Sequence, residues 1–249
     1  MAGAMRGAMR ALELVHVAGR CSYAEGLGLQ RAAMNAKLAA LREGHEMPRD
    51  RLFLLEHEPV YTLGRSADVA NVLSGVADGG FDLVRVDRGG EVTFHGPGQI
   101  VGYPVLDLRA HTKDLHWYMR QVEEVIIATL ATYGLEGSRK EEYTGVWVDD
   151  AKVCAIGLNA SRWITSHGFA LNVTTDLEAF SRIVPCGIDD PALSVTSIEA
   201  LLGSGVAAPS RMEVQERLVK EFMRIFTYDR LRLTKSHAAP VESEIKTIR

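Results

Sequence analysis

Apolar and polar positions along this chain follow two periods, and the switches between them outline its elements. Ala11 to Val17 carries Leu12, Leu14, Val15 and Val17 at strand spacing, and a strand is expected there. From Ser22 to Arg42, Ala24, Leu27, Leu29, Ala32, Met34, Leu38 and Leu41 recur at helical intervals. Arg51 to His57 is a buried-strand run stopped by Pro59, and Val60 to Arg65 reads as a short strand end. Asn71 to Gly80 predicts a turn or short helix, and Phe81 to Val86 a strand. Gln99 to Leu106 is a further strand, in which Pro104 suggests a sheet edge or a strand start. Asp114 to Tyr133 is the clearest helix, with Leu115, Tyr118, Met119, Val122, Val125, Ile126 and Leu130 on one side and Gly134 to end it. Gly145–Val148 and Lys152–Gly157 flank Asp149-Asp150-Ala151 as a hairpin, and Trp163 to Val173 predicts another strand pair. Leu177 to Ile183 reads as a short helix ended by Pro185, and Met212 to Phe226 as the last helix.

Hairpins interleaved with helices indicate an α+β fold, a mixed β-sheet flanked by helices, rather than a strict βαβ repeat. With no internal repeat and no long linker, the expected organisation is a flexible tail over 1–10, one domain over 11–235 and a loose polar tail over 236–249. A hydrophobic share of 47% and a charged share of 24% fit a soluble globular protein, and no apolar stretch reaches the length of a membrane span. The net charge of -4 implies no general affinity for nucleic acid. Three cysteines without paired spacing argue for a reducing compartment, here the cytoplasm. Met1 to Leu12 holds Arg6 and Arg10 and no acid, but it lacks the apolar core of a signal, so a short tail is expected over a transit segment.

One stretch stands apart: Arg88-Gly89-Gly90-Glu91-Val92-Thr93-Phe94-His95-Gly96-Pro97-Gly98-Gln99. A loop this rich in glycine that also holds an arginine, a histidine and a glutamine reads as the wall of a site. Cys186 lies in Val184-Pro185-Cys186-Gly187, on a tight turn after a short helix, and is a candidate nucleophile beside the alternative of an inert thiol; Cys21 and Cys154 are assigned to packing. A cationic neighbour would favour the thiolate, and Lys152, His95 and His167 are the candidates. By itself Lys152 reads as an edge lysine reaching for water, and His167 as a structural histidine. Arg65, after a Gly-bearing turn, is either solvated or faces an anionic carrier. His95, His167 and Cys186 are types that bind zinc, but without close-spaced pairs no metal is expected. The glycine-rich stretch matches neither GxxxxGK[ST] nor GxGxxG, and there is no GxSxG elbow.

Taken together, Arg88-Gly89-Gly90-x-x-Thr93-x-His95-Gly96-Pro97-Gly98-Gln99 with Tyr103-Pro104, Thr62-Leu63-Gly64-Arg65, Lys152 to Gly157, His167-Gly168-x-Ala170-Leu171-Asn172 and Pro185-Cys186-Gly187 resemble the lipoyl (octanoyl) protein transferases. The resemblance runs from about Leu12 to Arg230. It implies the mixed sheet shared with biotin and lipoate protein ligase catalytic domains. It also implies transfer of an octanoyl group from octanoyl-acyl carrier protein to a lysine of lipoyl domains, those of 2-oxoacid dehydrogenase complexes and of the glycine cleavage H protein. On that resemblance Cys186 carries the acyl-thioester and Lys152 lowers its pKa and shuttles a proton. Arg88, Gly89, Gly90, Glu91, Val92, Thr93, Phe94 and His95, with Ala155, Ile156, Gly157, Gly168, Phe169 and Ala170, line the acyl site, and His167, Arg65 and Gln99 support it. No cofactor and no metal are implied. Cys154 departs from the family, where a smaller residue, often alanine, is expected. Two alternatives stay open at this point: an ATP-dependent lipoate or biotin protein ligase, and a non-catalytic module that binds an acyl carrier or lipoyl domain.

Overall fold

Ser22 is the hinge between the first strand and the first helix, and its chemistry sets both ends. Its hydroxyl accepts from Glu25 N while the Glu25 carboxylate takes the Ser22 N–H at 2.8 Å, a reciprocal cap that closes β1 (Ala11–Cys21) and opens α1 (Tyr23–Glu43). There follow β2 (Asp50–His57), β3 (Val60–Leu63), β4 (Asp82–Arg85), β5 (Val92–His95) and β6 (Gln99–Val105). Next come α2 (Leu115–Ala131), capped by Asp114, then β7 (Val146–Val148), β8 (Ala151–Ser161) and β9 (Ile164–Asn172). The chain closes with β10 (Ser194–Val195), α3 (Ile198–Leu202), α4 (Arg211–Ile225) and β11 (Arg230–Ser236). This structure, a computed structural model, describes residues 9–73, 81–184, 190 and 192–236. The expectations for the two chain ends, for 74–80 and for Pro185, Cys186 and Gly187 lie outside the described residues.

The larger sheet runs in the order β10-β8-β9-β6-β2-β1-β11, with β7 added to β8, and mixes parallel pairs (β1 with β2 and β11, β10 with β8) with antiparallel ones. The apolar run of β2 is continuous because both its faces are covered. Leu52 and Leu54 join Tyr118, Val122, Val125 and Ile126 of α2 and Leu218 and Phe222 of α4 on one side. Phe53 and Leu55 meet Ala33, Met34 and Leu38 of α1 on the other. Each fully buried Leu, Val, Ile or Phe among them is worth about 1.5–3 kcal/mol. A smaller sheet, β4-β3-β5, packs its own core of Tyr61, Leu63, Phe94 and Phe180. The α+β fold with a mixed sheet and flanking helices is therefore observed. Among the described residues, no helix is long and apolar enough to cross a membrane.

Three expectations are corrected. The glycine-rich stretch is not all loop, since β5 occupies its middle. Trp163 to Val173 is not two strands but the single β9, because His167-Gly168 bends the strand without breaking its ladder to β8. Pro104 lies neither at an edge nor at a strand start but in the central β6, at the point where pairing with β9 has already ended at Gly102, so its missing N–H removes no bond from that ladder. Beyond α4, where no element was expected, β11 runs parallel to β1.

Candidate functional site

Two short structures set the polar wall of the site. Gly96-Pro97-Gly98-Gln99 forms a tight turn in which Gln99 N donates to Gly96 O at 3.2 Å. Gly98 has φ +81, the left-handed value a type II turn needs at its third position, and a side chain there would strike the Thr174 backbone. The turn brings the last residue of β5 opposite the first of β6, and His95 Nδ1 lies 2.8 Å from Gln99 Oε1. Gln99 Nε2 donates to Phe94 O and Asn172 Oδ1, so its Oε1 is the acceptor and the proton sits on His95 Nδ1. His95 Nε2 then accepts from the Thr62 hydroxyl, whose oxygen in turn receives Arg88 Nη2 at 2.8 Å. Arg88 also donates to Thr62 O and Gly89 O, and Gly89 N donates to Leu158 O at 3.1 Å, which ties the loop to the larger sheet.

Small residues across three neighbouring strands form the floor. Ala155 of β8 pairs with Ala170 of β9, and Gly157 with Gly168. A Cβ on Gly168 would stand 2.0 Å from Gly102 O of β6, so only glycine permits that approach. Lys152 reaches the same face by a device hidden from sequence spacing. In the β7–β8 ladder Val146 faces Cys154 while Trp147 faces Lys152, so Val153 is an extra residue, a β-bulge. The bulge reverses the alternation. Val153 and Cys154 both enter the core behind the sheet, and Lys152 lines the cavity beside Ala155 and Gly157. The reading of Lys152 as an edge lysine in water is therefore wrong: it is 2% exposed. Its Nζ lies 4.9 Å from the centre of the Trp147 ring, and among the described residues it forms no ion pair or hydrogen bond.

Wall and floor enclose a cavity of about 170 Å³, comparable to the roughly 150 Å³ engineered apolar cavity that takes up benzene. Arg88, Gly90, Glu91, Thr93, His95, Lys152, Ala155, Ile156, Gly157, His167, Gly168, Phe169 and Ala170 line it. Among the other sequence candidates, Phe94 packs into the core of the smaller sheet with Val92, and Gln99 supports His95 from behind. Gly89 and Arg65 line an adjoining groove, where Arg65 Nη2 reaches Asn159 Oδ1 at 3.4 Å. Sequence reasoning missed Tyr23, Val101, Glu142, Tyr143 and Thr144 in the lining, and Trp147 beneath Lys152. Only Tyr103 among the additional lining residues had a signal, its place in the motif. Cys154 has its side chain in the core rather than at the cavity.

Electrostatics narrows the roles. Burial, with the nearby His57 and the Arg88 charge, pushes His95 down to about 3, so it is neutral and cannot serve as the cationic activator of a thiol. His167 is also lowered, first by burial, against the pull of Asp87, whose Oδ1 accepts from His167 Nε2 at 2.8 Å. That hydrogen bond in turn holds Asp87 at about 2. Cys21 is pushed up to about 12 by burial and by Glu25 and Glu58, in keeping with a packing role. His167 has φ +57, a left-handed backbone costing on the order of 1–3 kcal/mol, and its N–H is anchored on Gln30 Oε1. Among the described residues, no cluster of three His, Cys, Asp or Glu side chains could hold a metal ion.

Residues 22–223 match the lipoyl protein ligase A/B catalytic domain. The chain is 49% identical over 190 residues to an octanoyltransferase of Gloeobacter violaceus, covering 76% of this chain and 82% of that one. It is 48% identical over 216 residues to an octanoyltransferase of Solibacter usitatus, covering 86% and 92%. This chain belongs to the octanoyltransferase family. Membership makes it an acyltransferase. In fold it is also similar to a lipoate-protein ligase A bound with ATP, with a TM-score of 0.67 over 92% of this chain and 89% of that one at 16% identity.

Proposed function

We propose that this chain transfers an octanoyl group from octanoyl-acyl carrier protein to a lysine of a lipoyl domain, through a thioester on Cys186, in the cytoplasm. The observation that carries this reading is Lys152: a lysine buried at a cavity with a floor of small residues, forming no ion pair or hydrogen bond among the described residues. A buried unpaired cation is costly, and a thiolate beside it relieves the cost for both groups. The first strand after Cys186, β10, pairs Val195 directly with Lys152, which supports bringing the thiol to that ammonium.

The chemistry then needs no external energy. The Cys186 thiolate attacks the donor thioester, the carrier leaves as a thiolate that takes a proton from water, and one thioester replaces another. The acceptor amine attacks the octanoyl-enzyme, an amide forms and the Cys186 sulfur leaves. Lys152 favours the thiolate on the way in and can return a proton to it on the way out. Backbone N–H groups near Gly168 can receive the developing oxyanion, worth roughly 3–4 kcal/mol per donor in other acyl transfers. Lipoyl domains as acceptors, including those of 2-oxoacid dehydrogenase complexes and the glycine cleavage H protein, follow from family membership and the reading above.

A second reading, ATP-dependent ligation, is favoured by the fold shared with the ATP-bound ligase. A pyrophosphate-release assay with octanoate, ATP and lipoyl domain separates the two. The proposal expects none, together with transfer from octanoyl-acyl carrier protein in the absence of ATP; ATP-dependent release and no transfer from the carrier would overturn it.

A further inference from the structure

The octanoyl-transfer reading leaves one proton without a recipient. A lysine side chain arrives as an ammonium, which is not a nucleophile, and Lys152 is committed to the Cys186 sulfur. Close by, the cavity holds a group that no step has used. His167 lines it, 2% exposed, with Nε2 turned away to donate to Asp87. Its Nδ1 is buried and has no hydrogen-bond partner among the described residues. A carboxylate on Nε2 fixes the tautomer in which Nδ1 carries a lone pair. The backbone there has φ +57, and the His167 N–H is pinned on Gln30 Oε1.

We propose that His167, oriented by Asp87, accepts the proton of the incoming lysine ammonium at Nδ1 and aims its freed lone pair at the octanoyl carbonyl. His167 is then a catalytic residue of the second half-reaction and Asp87 a positioning residue. The balance closes. The ammonium gives one proton to Nδ1, its nitrogen bonds the carbonyl carbon, and the C–S bond breaks. The second amine proton replaces the one that Lys152 gives to the departing Cys186 sulfur, and Nδ1 returns its own to water once the amide leaves. The charged and titratable groups around the ring are Asp87 and Arg88 from the loop before β5, Arg31 from α1, His95 from β5 and Tyr103 from β6, with Tyr23, Glu91, Glu142, Tyr143 and Lys152 lining the same cavity. Asp87 is the carboxylate bonded to the ring and pulls towards its positive form, and its side chain is 51% exposed, so the charge formed on Nδ1 is balanced at the water boundary.

The test separates the half-reactions. Octanoyl-enzyme is formed from octanoyl-acyl carrier protein, isolated, and mixed with lipoyl domain between pH 6 and 10. The variants are Asp87→Asn, a half-exposed isosteric change, and His167→Gln. Both are expected to slow transfer to lysine at least tenfold at pH 7. The deficit closes towards pH 10, as the acceptor amine approaches its own pKa of about 10.4. Hydroxylamine, already unprotonated at pH 7, should cleave wild-type and variant octanoyl-enzymes at equal rates. Transfer at the wild-type rate by Asp87→Asn, a deficit independent of pH, or equal slowing with hydroxylamine would each overturn the assignment alone. If wild-type protein forms no octanoyl-enzyme, the octanoyl-transfer reading and this assignment fall together.

Discussion

Lys152 shows what a single residue's surroundings decide. Its type and its place in the motif were readable in the sequence, but its direction was not, because Val153 looks like any apolar strand residue and only the ladder reveals it as the extra one in a bulge. His95 was read as a possible imidazolium; burial keeps it neutral, and the proposal therefore rests the activation of the thiol on Lys152. Replacing Lys152 with alanine is therefore expected to raise the Cys186 pKa by one unit or more and to slow acylation by at least tenfold at pH 7, with the fold retained. The pH dependence of iodoacetamide alkylation of Cys186 checks this; an unchanged midpoint would remove Lys152 from the role. The left-handed His167 was equally hidden, since His-Gly in a strand pattern reads as a turn.

Long, strongly patterned elements were readable from periodicity: α1, α2, α4, β2 and the β7–β8 hairpin appear within a few residues of expectation. The two-residue β10 and five-residue α3 are too short to show a period, and β11 exposes most of its residues, so its strand character comes from pairing with β1 rather than from an apolar face. The α1–β2 connection is fastened by Asp50, which accepts from Lys37 Nζ at 2.9 Å and from Tyr228 and lies 3.3 Å from His111 Nε2. Burial pushes its carboxyl upward, but His111, Lys37 and Tyr228 outweigh that and hold it at about 2, below the usual 3.8. The folded pKa is the lower one, so this contribution, on the order of 2 kcal/mol, is present above pH 4 and lost as pH falls towards 2. Lys37→Met should cost about 3–5 kcal/mol at pH 7 by stranding the carboxylate, and the difference from wild type should shrink below pH 4; urea titrations at both pH values measure it. Gly168→Ala should cost about 3 kcal/mol or more, because the new methyl meets the backbone oxygen of Gly102 rather than a movable side chain; a midpoint shift near zero would mean the strands separate freely.

At the scale of the whole molecule, two sheets meet at one loop. The smaller sheet supplies Thr62, Thr93 and His95, the larger supplies Lys152, Ala155, Gly157 and Gly168, and Arg88 to Glu91 spans the joint. That convergence was not derivable from periodicity, which gives elements and not their mutual placement; the motif resemblance pointed to it because the same residue types recur in order. The six methylenes of an octanoyl chain would gain about 5 kcal/mol on full burial, enough to hold it while the acceptor arrives. The central claim is that the acyl group rests on Cys186 between donor and acceptor, and intact-mass spectrometry after exposure to octanoyl-acyl carrier protein without ATP tests it most directly. The account predicts one added octanoyl mass on Cys186, removed by hydroxylamine, discharged by lipoyl domain and absent from Cys186→Ser. An unmodified wild-type protein that still transfers octanoyl, or a Cys186→Ser protein that transfers at the wild-type rate, would contradict it.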